Sequence, residues 1–327
     1  MLKSYYSTFV PGLGEPVEEA LRATLADARI VLSLDGLLAY ETGAKPEAIA
    51  KLPFVTNSFA IIRRFEGATV AQMAAEVAAD RAWNAEVKRG SFRVIASVAN
   101  QLVALDPKLM EAIERRISEK SGLRLNRSKP DHEFWLLERS EGHAFFALRL
   151  SHHRSYDKAL QKGELRPELA NILCRLSDPK PNELFLDPFC GSGAIPIQRA
   201  KFFPSGLTIA SDSDEKKVES LKERIKELDL KKRVVVRRDD ALNLARYEGG
   251  SIHKIVTDPP WGHFTDVPTA EFYPAMLDEF ARVLRPGGKL VILTAENLAP
   301  DERFALTKKF NILVSGKKAA VYVMERR

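Results

Sequence analysis

Carboxylates follow four successive apolar runs in the second half of this chain. Asp187 closes Leu184-Phe-Leu, and Asp212 closes Leu207-Thr-Ile-Ala-Ser. The pair Asp239-Asp240 comes after Arg233-Val-Val-Val-Arg, and Asp258 comes after Ile255-Val-Thr. Asp187 opens the loop Asp187-Pro-Phe-Cys-Gly-Ser-Gly193, after which an apolar helix is expected. Gly191 and Gly193 permit positive φ and let a ligand approach the backbone. The free N–H groups of a following helix attract a carboxylate or phosphate. Asp212 lies roughly 20 residues beyond the loop, the place where a carboxylate accepts both hydroxyls of a ribose. Asp258-Pro-Pro-Trp261 combines a carboxylate, a turn fixed by Pro259 and Pro260, and a flat aromatic face. A nicotinamide cofactor is disfavoured, because Ala194-Ile-Pro196 stands where the third glycine of the dinucleotide fingerprint belongs. There is also no Gly-Lys-Ser/Thr for a triphosphate loop.

Elements of alternating type must position these acids. Strands are expected at 184–187, 207–212, 233–237, 255–257, 290–294, 310–314 and 319–324. Helices are expected over 215–228 and 270–284, and Pro286-Gly-Gly288 reads as a turn. Alternation of this kind gives a doubly wound, Rossmann-like α/β fold whose ligands bind at the carboxyl ends of the strands. Asp214 reads as the cap of the helix at 215.

The two motifs Asp187-Pro-Phe-Cys-Gly-Ser-Gly193 and Asp258-Pro-Pro-Trp261 together resemble those of S-adenosylmethionine-dependent amino-methyltransferases. The resemblance implies a seven-stranded sheet with an antiparallel last strand and S-adenosylmethionine as cofactor. The implied cofactor-binding residues are Asp187, Pro188, Phe189, Cys190, Gly191, Ser192, Gly193, Asp212, Ser213, Asp239, Asp240, Ala241 and Asp258. In that family an acid at the place of Asp240 accepts from the adenine amine. Arg238-Asp239 replaces the usual glycine before it, so which aspartate acts stays open. The implied catalytic residues are Asp258, Pro259, Pro260 and Trp261. An aromatic amine is a poor nucleophile because its lone pair is delocalised. The Asp258 carboxylate and the Pro259 carbonyl would each accept from it and aim the lone pair at the methyl, while Trp261 stacks on the base at a gain of ~1–3 kcal/mol. Alignment of two bound reactants would supply most of the acceleration. His263 reads as a loop residue.

The first half reads as strand, helix, hairpin at Asp35-Gly36, a short helix over 45–52, and strand, a ferredoxin-like pattern. A helix over 69–83, strand 91–98, a helix over 107–121 and strands at 123–126, 134–138 and 144–150 follow. This region looks like a THUMP domain, the RNA-binding module of tRNA-modifying enzymes. Tyr156-Asp-Lys-Ala and Lys162-Gly-Glu-Leu-Arg-Pro-Glu-Leu-Ala170 are similar to the linker of THUMP methyltransferases, with Pro167 opening the first catalytic helix. The expected division is 1–66 ferredoxin-like, 67–153 THUMP, 154–168 linker and 169–327 methyltransferase.

The resemblance points to RNA, to tRNA, and to the N2 amine of guanine. Ribosomal RNA, DNA amino-methylation and a noncatalytic RNA-binding role stay open. Sulfur transfer would need a nucleotide loop and reactive cysteines. Net charge of +6 over 327 residues favours a polyanionic partner. Candidate phosphate contacts are Arg63, Arg64, Arg81, Lys88, Arg89, Arg93, Arg124, Arg127, Lys129, Arg149 and Arg154, beside His152 and His153. Cys174 and Cys190 are too few for a disulfide framework or a zinc site. With no long apolar run and no signal-peptide core at Met1-Leu-Lys-Ser-Tyr-Tyr, a cytoplasmic protein without metal is expected; the oligomeric state is not legible.

Overall fold

The computed structural model describes residues 2–80, 82–83, 87–151, 164–204, 206–262, 269–314 and 316–327. Arg81, positions 152–163 of the linker region with His152, His153 and Arg154, and His263 lie outside the described residues. The chain forms two compact units, one of residues 1–8, 22–52 and 56–154, the other of residues 9–21, 53–55 and 155–327.

The elements up to the linker are β1 (Lys3–Thr8), α1 (Gly14–Thr24), β2 (Arg29–Leu34), β3 (Leu37–Thr42), α2 (Pro46–Ile49), β4 (Asn57–Glu66), α3 (Val70–Ala79), β5 (Ser91–Val98), β6 (Gln101–Val103), α4 (Pro107–Ser121), β7 (Arg124–Leu125), β8 (His132–Glu138) and β9 (His143–Arg149). Their strands make one nine-stranded sheet in the order β2-β3-β1-β4-β9-β8-β5-β6, with β7 on β5. The pairing of β4 with β9 carries the sheet without a break past position 66. Leu34 faces Leu37 across the Asp35-Gly36 turn, and Gly36 takes φ +81° as that turn requires. Thr69 and Gln72 form the capping box that starts α3. Asp106 caps α4, and Gly122 at φ 73° ends it.

Two local expectations change. The helix over 45–52 is only the single turn Pro46–Ile49; the Lys51 and Leu52 N–H groups bond three residues back, to Ala48 and Ile49, and Pro53 has no N–H with which to continue the helix. β6 was not anticipated. Its two-residue hairpin turn is Ala99-Asn100, with φ of 47° and 67°, so the usual glycine signal is missing from the sequence.

The second unit contains α5 (Pro167–Leu176), β10 (Leu184–Asp187), α6 (Ala194–Phe202), β11 (Leu207–Asp212), α7 (Glu215–Glu227), β12 (Val234–Arg238), β13 (Ile252–Thr257), α8 (Thr269–Val283), β14 (Leu284–Thr294), β15 (Phe304–Val314) and β16 (Lys317–Arg326). They build a seven-stranded sheet in the order β12-β11-β10-β13-β14-β16-β15. β16 runs antiparallel to both neighbours, whereas β10 to β14 pair in parallel. Leu290, Val291, Ile292 and Leu293 are all fully buried, as a strand covered on both faces must be. The expected turn at Pro286-Gly-Gly288 is instead a bulge within β14: Ile252 pairs with Leu284 and Lys254 with Lys289, while Gly287 takes φ +71°.

Residues 9–21 pack within this unit. A Cβ on Gly12, which has φ +89°, would lie 2.1 Å from the Asn311 carbonyl oxygen of β15, so only glycine fits there. Lys308 of β15 binds Glu15 at 2.6 Å and Glu19 at 3.6 Å on α1. Strand order reverses between β10 and β13, which places a crevice at their carboxyl ends. Among the described residues no helix is long and apolar enough to cross a membrane.

Candidate active site

The carboxyl ends of β10, β11, β12 and β13 carry the acids. Asp187 is 1% exposed, and its Oδ1 accepts from Thr257 Oγ1 at 2.8 Å and from the Phe189 N–H at 3.3 Å. Thr257 thereby fastens the end of β13 to the end of β10. Asp212 holds the glycine loop: Oδ2 accepts from the Gly191 N–H at 3.1 Å and Oδ1 from the Asp214 N–H at 3.0 Å. A carboxylate has about four lone-pair sites, so hydroxyl donors can still be accepted. Asp214 accepts from the Lys216 N–H at 2.9 Å and caps α7, as expected.

The loop backbone separates its two glycines by role. Gly193 (φ +86°) leads into α6, and a Cβ there would lie 2.2 Å from Leu221 Cδ1 in the core. Gly191 (φ +48°) faces open space, where a methyl group would meet nothing within 4 Å. Pro188 and Cys190 are buried, and burial pushes the Cys190 thiol well above its ordinary range. Phe189 packs against Phe272 at 5.8 Å between ring centres. The Ser192 carbonyl accepts from Arg224, and the exposed Ser213 offers its carbonyl to Arg238.

At the end of β12 the structure separates the two neighbouring aspartates. Asp239 is engaged inward, by Arg246 Nε at 3.2 Å and the Tyr247 hydroxyl at 2.8 Å. Asp240 is exposed, and among the described residues its carboxylate accepts only from the Leu242 N–H, at 2.9 Å, while its carbonyl accepts from the Asn243 N–H. Ala241 beside it is buried.

The half-buried Asp258 receives the indole Nε1–H of Trp261 on Oδ1 at 2.9 Å. The expectation gave Trp261 only a stacking face; the bond back to Asp258 was not foreseen. The Pro260 carbonyl accepts from the Tyr273 hydroxyl at 3.1 Å. No hydrogen bond reaches the Pro259 carbonyl among the described residues. Tyr273 also bonds Thr294 Oγ1 at 2.6 Å, Thr294 accepts from the Glu296 N–H at 3.0 Å, and Glu296 Oε1 accepts from the Gly262 N–H at 3.1 Å. Sequence reasoning missed Thr257, Tyr273, Thr294 and Glu296. An acid at or just past a strand end marks Asp187, Asp212 and Asp258, and the same signal after β14 could have found Glu296.

These acids lie close enough to feel one another. Burial pushes Asp187 up to about 8; the charges of Asp258 and Asp212 add to this, and the bonds from Thr257 and Phe189 oppose it. Burial pushes Asp258 up to about 7 against the pull of the Trp261 bond. The one cation on these three acids is the exposed Lys217, 3.8 Å from Asp212, among the described residues. The crevice therefore favours a ligand that brings positive charge. Among the described residues no cluster of three or more His, Cys, Asp or Glu has metal-binding geometry.

Residues 154–314 match the family described as UPF0020, RMKL-like methyltransferase domain. This half of the chain is a methyltransferase domain. A tRNA (guanine(6)-N2)-methyltransferase of Thermus thermophilus is 28% identical over 247 residues, covering 72% of this chain and 73% of that protein. The mouse tRNA (guanine(6)-N(2))-methyltransferase THUMP3 is 31% identical over half of this chain, which spans 36% of the length of the mouse protein. A tRNA (guanine(10)-N2)-dimethyltransferase of Methanothermobacter thermautotrophicus is 30% identical over 46% of this chain and 45% of its own. Among solved structures, TrmN from Thermus thermophilus superposes with a TM-score of 0.80 over the full length of both chains, at 25% identity.

A methyltransferase domain implies S-adenosylmethionine, and the residues fit it. Its sulfonium and ammonium charges suit a crevice of under-compensated acids. Its ribose hydroxyls suit Asp212. The open side of Gly191 leaves room for it against the backbone.

Proposed function

We propose that this protein methylates the N2 amine of a guanine in tRNA. The observation that carries the reading is Asp258. It is a half-buried carboxylate poised at about 7, at the carboxyl end of β13, beside the acids that suit the cofactor. The guanine-N2 chemistry in the names of the relatives supports the base and the substrate class.

S-adenosylmethionine, when bound, supplies a methyl group already activated for transfer. Asp187 and Asp212 would hold the cofactor, and Asp240 rather than Asp239 would accept from its adenine amine, because Asp239 is occupied by Arg246 and Tyr247. Pro188, Phe189, Cys190, Ser192, Ser213 and Ala241 shape the walls. Asp258 Oδ2 and the Pro259 carbonyl accept hydrogen bonds from the two N–H groups of the guanine amine and direct its lone pair. Asp258, poised near neutrality, then takes the proton that the methylated amine sheds. Trp261 holds Asp258 Oδ1 and lies alongside the base.

The division at 66/67 and 153/154 into ferredoxin-like and THUMP regions belongs to the same reading, with the cytoplasm as its setting. Of the basic residues expected to meet RNA, Arg63, Arg64, Arg93, Arg127 and Arg149 are in ion pairs with acids of the same unit. Exposed Arg89, Arg124 and Lys129 have no such carboxylate within 4.0 Å among the described residues. The Arg124 N–H bonds the Gly90 carbonyl at 3.1 Å, so Arg89 and Arg124 adjoin. That group is the better candidate for phosphate contact.

The test is transfer of tritiated methyl from S-adenosylmethionine into total tRNA, ribosomal RNA and duplex DNA, followed by nucleoside analysis. N2-methylguanosine in tRNA is expected, and mapping then chooses among positions such as the 6 and 10 in the relatives' names. Asp258→Ala should abolish transfer while cofactor binding persists. Label in ribosomal RNA or DNA would move the substrate. No label with cofactor bound would make the chain a noncatalytic RNA binder.

A further inference from the structure

We propose that Glu296 reads the N1–H of the target guanine and so selects guanine over adenine and cytosine. The inference rests on the guanine-N2 reading above and adds the residue that chooses the base.

Glu296 stands just past the end of β14, and β14 pairs in parallel with β13, with Thr257 opposite Ile292. The residue after Thr257 is Asp258, so the two acids leave adjacent strands at the same edge. Glu296 is also tied to the Asp258 loop at two points. Its Oε1 accepts from the Gly262 N–H at 3.1 Å. Its own N–H donates to Thr294 Oγ1 at 3.0 Å; Thr294 bonds the Tyr273 hydroxyl at 2.6 Å, and Tyr273 donates to the Pro260 carbonyl at 3.1 Å. Among the described residues the other carboxylate oxygen, Oε2, accepts no hydrogen bond. A half-buried acid with one oxygen fixed and one unused is an acceptor waiting for a donor.

The chemistry of the base supplies that donor. On guanine the ring nitrogen next to the reactive amine carries hydrogen, so N1–H and N2–H₂ form a continuous row of donors. On adenine the neighbour of the N6 amine is N1, and on cytosine the neighbour of the N4 amine is N3; both are acceptors. All three bases offer an amine to Asp258 and Pro259, so those acceptors cannot tell them apart. A second acceptor beside them can. Glu296 Oε2 accepts from guanine N1–H but meets a lone pair on adenine or cytosine, and a site whose buried polar groups go unpaired rejects the wrong ligand. A hydrogen bond to a charged acceptor corresponds to about 10- to 100-fold in discrimination.

2,6-Diaminopurine separates this role from a structural one. It has the same N2 amine as guanine, but its N1 is an acceptor. A tRNA is assembled with either base at the nucleotide that the wild-type enzyme methylates. Wild type should prefer guanine by about 10- to 100-fold in kcat/KM. Glu296→Gln can turn its amide to donate to N1, so the preference should fall to near one or invert. Glu296→Ala should lose guanine activity and bring the ratio close to one. An unchanged ratio in both variants, with activity on the two RNAs falling in parallel, overturns the proposal and leaves Glu296 as a support for the loop. Cofactor binding by each variant verifies that it is folded. If wild type makes no N2-methylguanosine at all, the guanine reading itself has failed, and this inference fails with it.

Discussion

Trp261 Nε1–H donates a 2.9 Å hydrogen bond to Asp258 Oδ1, three residues back along the same loop. The bond fixes the carboxylate and lowers its affinity for a proton, in opposition to burial, which has pushed Asp258 up to about 7. Trp261→Phe keeps an aromatic face and removes only the donor. Asp258 should then titrate higher. In the proposed mechanism Asp258 must be ionised to accept from the amine, so the acid limb of kcat/KM should begin near pH 7 in wild type and move to higher pH in the variant. Lost activity with an unmoved limb would mean that Trp261 acts by stacking alone.

Asp187 and Asp258 bind protons more tightly in the folded chain than in the unfolded one, where an aspartate titrates near 3.8. Between roughly pH 4 and pH 8 the folded chain holds protons that the unfolded chain has released, so these groups make stability fall as pH rises. The slope is at most about 1.4 kcal/mol per pH unit for each group. Asp187→Asn keeps an acceptor for Thr257 but cannot ionise. Its melting temperature should gain on that of wild type from pH 5 to pH 8 in cofactor-free protein. Added S-adenosylmethionine should raise the wild-type melting temperature more at pH 8 than at pH 6. A constant difference between variant and wild type across this range would refute the assignment.

The two glycines of the loop should fail differently. Gly191→Ala places a methyl into open space at a φ of +48°, which costs about 1 kcal/mol of folding, but in the proposed reading the methyl would occupy the side assigned to the cofactor. Gly193→Ala drives a methyl to 2.2 Å from Leu221, itself 1% exposed in the core. Urea unfolding should show the greater loss for Gly193→Ala, about 2 kcal/mol or more. Cofactor titration should show the greater specific loss for Gly191→Ala. Equal loss of stability in both would contradict the division of roles.

Much of this architecture was legible in the sequence because each strand of the second unit pairs an apolar run with a turn signal. The runs that end in Asp187, Asp212 and Asp258 appear at the places expected. The hidden part depends on contacts between distant segments. Gly12 looked like an ordinary turn residue, and its necessity comes from Asn311 on β15. Thr257 looked like strand, and its hydroxyl holds Asp187, 70 residues away in sequence. Tyr273 and Thr294 carry no motif; only the fold brings them together behind Pro260. The α2 helix and the β6 hairpin were misjudged where a proline or a pair of positive-φ residues outweighed the local pattern.

Asp239 and Asp240 are adjacent in sequence and opposite in use. Asp239 is bound by Arg246 and by the Tyr247 hydroxyl, and Tyr247 is 7% exposed in the core of the second unit. Asp239→Asn weakens the ion pair and leaves Tyr247 with a poorer acceptor, so stability should fall by about 1–2 kcal/mol with little change in cofactor affinity. Asp240 keeps one oxygen unused among the described residues, the other accepting from Leu242. Asp240→Ala should weaken S-adenosylmethionine binding by about 10-fold, the worth of one hydrogen bond to a charged acceptor, and leave the unfolding midpoint near that of wild type. Calorimetric titration and urea unfolding of the two variants separate the roles. If Asp239→Asn is the one that loses the cofactor, the adenine amine pairs with Asp239, and Arg246 must give way when the cofactor enters.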